Sequence, residues 1–221
     1  MPEPAMDIHF CVIGGRAIFL DLRRNRYFAL PSRTNGAFVT IAGERSLGAI
    51  RTSVFDQIAV GAMPSGFGFA GSHTMNSSKI ATPESDRLAA QEQAATSPAL
   101  VLLAWSAVAV AKILVQLCPL YRILSGLEKS RAKTVRHKDF ANMDRIGAAF
   151  RKVHPFMRSD GNCLPLTLAF VWLCRRFGHS PALIIGVRVN PFSAHCWSQD
   201  GAIVLNDAYE RVQPYLPILV S

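Results

Sequence analysis

Three positions near the C-terminal end have the residue types that nucleophilic catalysis requires. They are Cys163 in "MRSDGNCLPLTLAFVWLCRRFG", His195 in "FSAHCW", and the amide or acid of "IVLND", Asn206 or Asp207. A cysteine attacks carbonyl carbon as its thiolate, and an ordinary thiol with a pKa of about 8.5 needs help to ionise at neutral pH. The stretch around Cys163 passes from a polar turn into an apolar run. This predicts a helix over 163–177 with Cys163 in its first turn, Ser159 or Asp160 as cap, and Gly178 as its stop. Unpaired N–H groups of a first helical turn favour negative charge on the sulfur and can receive an oxyanion. His195 is the natural base, and a third group should fix its tautomer.

The identity of that third group depends on a hairpin. If "DG" at 200 and 201 is a tight two-residue turn, Gln199 pairs with Ala202 and His195 lies opposite Asn206. A three-residue loop or Gly bulge pairs Gln199 with Ile203, which sets His195 opposite Asp207 and Trp197 opposite Leu205. The second register groups the large apolar side chains and gives imidazole a charged partner. Asp207 is therefore preferred, and Asn206 remains a rival because an amide also orients imidazole. The other thiols read as packing. Cys174 lies three turns into the helix, and Cys196 alternates with His195 along a strand and points to the opposite face.

These groups need a scaffold. Upstream of Cys163, helices are predicted over 98–117, 119–128 and 144–156, with Ser97 capping the first at Pro98 and an apolar stripe of Ile146, Phe150 and Val153 on the last. Downstream, 182–189, 194–199 and 201–207 are β-prone. The N-terminal part reads differently. "AIFLDL" and "RYFAL" flank "RRN" as a hairpin, "GG" at 14 and 15 makes an earlier turn, and helices follow at about 34–42, 46–60 and 84–95. A Gly- and Ser-rich link lies between the last two.

The chain has 221 residues and a net charge of +9, with half of its residues apolar. Ten Lys or Arg residues fall between Arg122 and Arg158, against Glu128, Asp139 and Asp144. A solvated helical face is the plain reading; an acidic peptide, nucleic acid or anionic lipid are the sharper ones. Few aromatic residues are interleaved for base stacking, and the low charge over 34–60 argues against a DNA-reading helix, so no nucleic-acid partner is expected. The segment 99–118 is apolar but interrupted by Lys112, and a buried helix is expected, with Leu100, Leu103, Leu114 and Leu117 facing inward and no membrane contact. Five cysteines without metal-ligand spacing, and an N-terminus without a signal pattern, suggest a reduced, cytoplasmic protein. No metal and no cofactor are expected.

"CLPLTLAFVWLCRRFG" followed by "LIIGVRVNPFSAHCWSQDGAIVLND" resembles the transglutaminase-like cysteine peptidases of lasso-peptide biosynthesis, the B proteins, over about residues 145–221. "IFLDLRRNRYFAL", 18–30, resembles their precursor-peptide recognition element, a small winged-helix module. The fold implied is α+β: a winged-helix-like β/α domain over 1–95, then a papain/transglutaminase-like domain of helices followed by an antiparallel sheet over 96–221. The resemblance implies a triad of Cys163, His195 and Asp207, departing from the family at Cys196, where Ala is expected. It implies substrate contacts at Phe19, Asp21, Tyr27, Phe28 and Leu30, with the leader adding as a strand, and at Trp197 beside the triad. The activity implied is hydrolysis of the leader–core bond of a lasso precursor, with an ATP-dependent lasso cyclase as partner. An acyl or amine transferase of the same fold, and a non-catalytic peptide- or DNA-binding scaffold, are the alternatives.

Overall fold

The computed structural model describes residues 8–44, 80–131, 140–157 and 161–221. The expected helix over 46–60 and the Gly- and Ser-rich link lie outside these. The chain divides into two units, Met1–Asn76 and Ser77–Ser221.

The N-terminal unit contains an antiparallel meander, β1 (Ile8–Ile13), β2 (Arg16–Asp21) and β3 (Arg26–Ala29), followed by helix α1 (Ser32–Glu44). Ile13 pairs with Arg16 across Gly14 and Gly15, whose φ values of 54° and 75° suit a tight hairpin that other residues adopt at a cost. The next turn is organised by Asp21, whose carboxylate accepts from the backbone N–H of Arg23 at 2.9 Å and Arg24 at 3.0 Å. Alternation along β2 sends Phe19 into the core, stacked on Phe28 at 5.0 Å and edge-on to Phe38 of α1 at 5.2 Å. This corrects two of the expected leader contacts. Phe19 is 1% exposed and Asp21 2% exposed. One is core and the other holds a turn, so neither can be a surface for a peptide. Tyr27, Phe28 and Leu30 are half-buried.

The C-terminal unit is helical first and β-rich after. Helix α2 (Leu88–Gln93) is short, and α3 (Pro98–Leu117), α4 (Leu120–Arg131), α5 (Phe140–Val153) and α6 (Cys163–Arg176) follow. The sheet comprises β4 (Ser85–Asp86), β5 (Ala182–Val189), β6 (Phe192–Asp200), β7 (Ile203–Val204) and β8 (Leu216–Val220), in the order β4-β7-β6-β5-β8; helix α7 (Tyr209–Val212) lies between β7 and β8. In this sheet, among the described residues, β4 and β7 pair in parallel and the other neighbours antiparallel.

The expected boundary at 95/96 shifts to 76/77 because residues 80–95 are bound into this unit. Ser85 and Asp86 join the sheet, shortening the helix expected over 84–95. Arg87 pairs with Asp144 of α5, and Gln91 donates to the carbonyl of Leu205. Strand β8 was not anticipated, since Pro217 interrupts its pattern; it is an edge strand, where a proline is tolerated. The stripe of Ile146, Phe150 and Val153 is buried as expected.

Helix α3 begins as expected, with Ser97 accepting from Leu100 N at 3.2 Å. Its orientation differs from expectation. Ala104, Val108 and Ala111 are fully buried, whereas Leu103 is 43% and Leu117 76% exposed. A helix apolar over most of its surface offers several faces. The stripe of small residues allows the closest approach to a neighbour, and that approach is made by α6. By length and composition α3 could cross a membrane, and only 17% of its most apolar window is buried, so it is not the buried core helix expected.

Candidate active site

Cys163 is the first residue of α6 and is partly exposed. Gly161, at φ +100°, lets the chain turn into the helix, and Asn162 takes the cap position at φ −89°, ψ −3°. The expected caps, Ser159 and Asp160, lie outside the described residues. Leu166 N already bonds to the carbonyl of Asn162 at 3.1 Å, and Pro165 has no N–H. The N–H groups of Cys163 and Leu164 therefore carry the positive end of the helix, beside the sulfur. Cys174, in the same helix, is fully buried, and desolvation raises its pKa. Cys196 is likewise buried, and desolvation, with the charge at Cys163 adding to it, raises its pKa; both thiols stay neutral.

His195 lies on β6, paired with Gly186 of β5. Its Nε2 is 2.6 Å from Asp207 Oδ2, which leaves Nδ1 for the hydrogen bond with Cys163. Burial opposes the charged ring. The hydrogen bonds and charges of Asp207 and Cys163 outweigh that and push the imidazole pKa up to about 9. At neutral pH the ring is imidazolium, the partner a reactive thiolate needs.

The structure brings Cys163, His195 and Asp207 together, but by neither expected register. The turn is Gly201–Ala202, so Gln199 pairs with Val204 and Asp200 with Ile203. Continued, this ladder would set His195 opposite Ala208. It stops first. Leu205 N still bonds to Ser198 O at 2.9 Å, but Ser198 N donates to the side chain of Asn206 at 2.7 Å instead of to a backbone carbonyl. The chain then leaves the sheet, and the next residue, Asp207, reaches the imidazole. Asn206 is thus a structural amide and not a third catalytic group. Its Nδ2 also donates to Thr167 Oγ1 at 2.9 Å, and Thr167 Oγ1 donates to the carbonyl of Cys196 at 3.0 Å. Thr167 sits one turn after Cys163. This chain of bonds ties the helix carrying the sulfur to the strand carrying the imidazole.

Trp197, expected to contact substrate, is 1% exposed and packs with Ile184, Val204 and Val212. Its ring lies 6.3 Å from the imidazole at 20°, and Tyr215 is 5.3 Å away. Trp197 and Tyr215 support the imidazole; Gly186 makes room for them, since a Cβ there would lie 2.7 Å from the indole and 2.9 Å from the Tyr215 Cβ. Sequence reasoning missed Gly186, Tyr215 and the bridging role of Thr167. Only Thr167 left a signal, its i+4 spacing from Cys163.

Cys163, His195 and Asp207 open onto a cavity of about 860 Å³, which also reaches Phe150, Tyr215, Arg151 and Arg211. A group on sulfur in that cavity would meet the helix N-terminus on one side and the imidazolium on the other, an arrangement suited to acyl chemistry. No curated protein and no solved structure is significantly similar to the chain. The family model of the transglutaminase-like superfamily matches residues 104–220, which contain all three of these residues. With more than half of its length matched, and a Cys-His-Asp cluster at a helix start facing a β-sheet, the chain belongs to the transglutaminase-like superfamily.

Proposed function

We propose that this protein is a cysteine peptidase that removes the leader from a lasso precursor peptide. The observation that carries the reading is His195 held 2.6 Å from Asp207 and hydrogen-bonded to Cys163 at the mouth of α6. The sulfur of Cys163 attacks the carbonyl carbon of the leader–core bond, and the N–H groups of the first turn receive the oxyanion. The C–N bond breaks, the imidazolium gives its proton to the leaving amine, and a thioester remains. Water then attacks the thioester, passes a proton to His195, and releases the sulfur as thiolate. The core leaves with a free α-amine, ready for an ATP-dependent lasso cyclase.

The lasso assignment is supported by the resemblance of residues 145–221, and leader binding by that of 18–30. The meander is suited to strand addition because β1 and β3 are both edges of its sheet. A tethered leader raises the local concentration of the scissile bond to roughly millimolar, so selectivity does not require a deep side-chain pocket. The five free thiols suit the reducing cytoplasm.

The test is to incubate the full chain with a lasso precursor peptide that carries its leader and to weigh the products. Hydrolysis yields leader and core that together exceed the precursor by one water. Transfer to an amine yields a leader adduct without that water and would replace this reading by the transferase one. Cleavage that persists in Cys163→Ala would remove Cys163 from the chemistry.

A further inference from the structure

The cleft around Cys163 is charged asymmetrically. Among its described lining residues, arginines come from two elements far apart in the chain, Arg151 on α5 and Arg211 on α7. The carboxylate that lines it is Asp207, and both its oxygens are engaged, Oδ2 with His195 at 2.6 Å and Oδ1 with the N–H of Ala208 at 2.8 Å. Arg211 approaches this carboxylate only at 3.5 Å and keeps 59% of its side chain exposed. Its guanidinium fork therefore remains available at the mouth of the cleft. Arg151 donates through Nη1 to the carbonyl of Leu88 at 3.2 Å, which anchors the side chain without neutralising it. Its ionic contact, to Glu92 at 3.5 Å, is with a carboxylate 72% exposed, and water screens such a pair. The imidazolium of His195 adds a further positive charge.

We propose that Arg151 and Arg211 form a carboxylate subsite, so that the peptide accepted by this cleft carries an Asp or Glu side chain within a few residues of the bond attacked by Cys163. The inference rests on the reading of Cys163 as nucleophile and deepens it by naming the charge of the substrate. Guanidinium suits the task because its planar fork matches the two oxygens of a carboxylate. Arg151 also gives one member of the basic stretch 122–158 a role beyond a solvated surface.

Alkylation tests this without a peptide. Iodoacetate and iodoacetamide deliver equivalent carbons to sulfur and differ in charge. The ratio of their rates at Cys163, followed by mass spectrometry of its tryptic peptide, is compared with the ratio for free cysteine. At low salt the wild-type protein should favour the anionic reagent by about tenfold over free cysteine. Arg151→Gln and Arg211→Gln should each lower that preference by about threefold, while Arg151→Lys and Arg211→Lys keep most of it. The neutral reagent reports the sulfur's own reactivity, so a change in thiolate fraction divides out, and the His195 midpoint followed by NMR in each variant shows whether the imidazolium charge is the same. A reactive Cys163 whose ratio matches free cysteine, or ignores both Gln variants, overturns the subsite and leaves the nucleophile standing. A Cys163 unreactive toward iodoacetamide overturns the nucleophile, and the subsite falls with it.

Discussion

Replacing Asp207 by Asn should shift the titration of His195. The imidazole is 15% exposed, and its pKa stands at about 9 against an ordinary 6.5. That difference corresponds to about 3 kcal/mol in favour of the imidazolium. Burial pulls the other way, so the favourable contributions come from Asp207 and Cys163. Asn is isosteric and can still accept from Nε2–H, but it carries no charge. The midpoint should then fall by at least about one pH unit, because the aspartate charge no longer opposes desolvation. In the wild-type protein the ring holds its proton through neutrality and releases it as pH rises through about 9; in Asp207→Asn it releases it earlier. NMR observation of the His195 ring carbons across pH 5–11 measures both midpoints. Peptide hydrolysis, which uses that proton on the leaving amine, should lose activity over the same alkaline interval in each protein. A midpoint for Asp207→Asn within about 0.3 units of wild type would show that the aspartate charge does not hold the proton, and the electrostatic account of the site would be wrong.

Thr167→Val removes the hydroxyl shared by the carbonyl of Cys196 and the amide of Asn206 and should cost about 1–3 kcal/mol in urea unfolding. Its rate of Cys163 alkylation should fall as well, since the helix and strand lose their tie; unchanged values for both would remove Thr167 from the site's support. Gly186→Ala forces a methyl against Trp197 and Tyr215 and should cost about 1–3 kcal/mol, with a changed near-UV signal from the indole. In the N-terminal unit, Phe38→Ala empties the centre of the aromatic cluster and should cost about 3–5 kcal/mol, seen as loss of amide protection in β1 and β2.

Much of the architecture is legible in the sequence because it depends on local periodicity. The 3.6-residue stripe of α5, the Ser97–Pro98 start of α3, the Gly178 stop of α6 and the span of β5 all rest on side chains close together in the chain. The same holds for Cys163, since a polar turn leading into an apolar run marks a helix start whatever surrounds it. The failures share a cause. Which face of α3 is buried depends on how closely α6 can approach, and small side chains won over leucines. Phe19, Asp21 and Trp197 were expected as substrate contacts from the resemblance, and a sequence does not show what lies over a strand. The orientation of Asp207 depended on where the β6–β7 ladder ends. The side chain of Asn206 ends it, in hydrogen bonds to Ser198 and to Thr167 on α6. Residue types and helix starts are properties of the chain itself, whereas the approach of the sulfur to the imidazole and carboxylate is set by packing between segments more than thirty residues apart, and that of the carboxylate to the imidazole, twelve residues apart, by where a strand ladder ends.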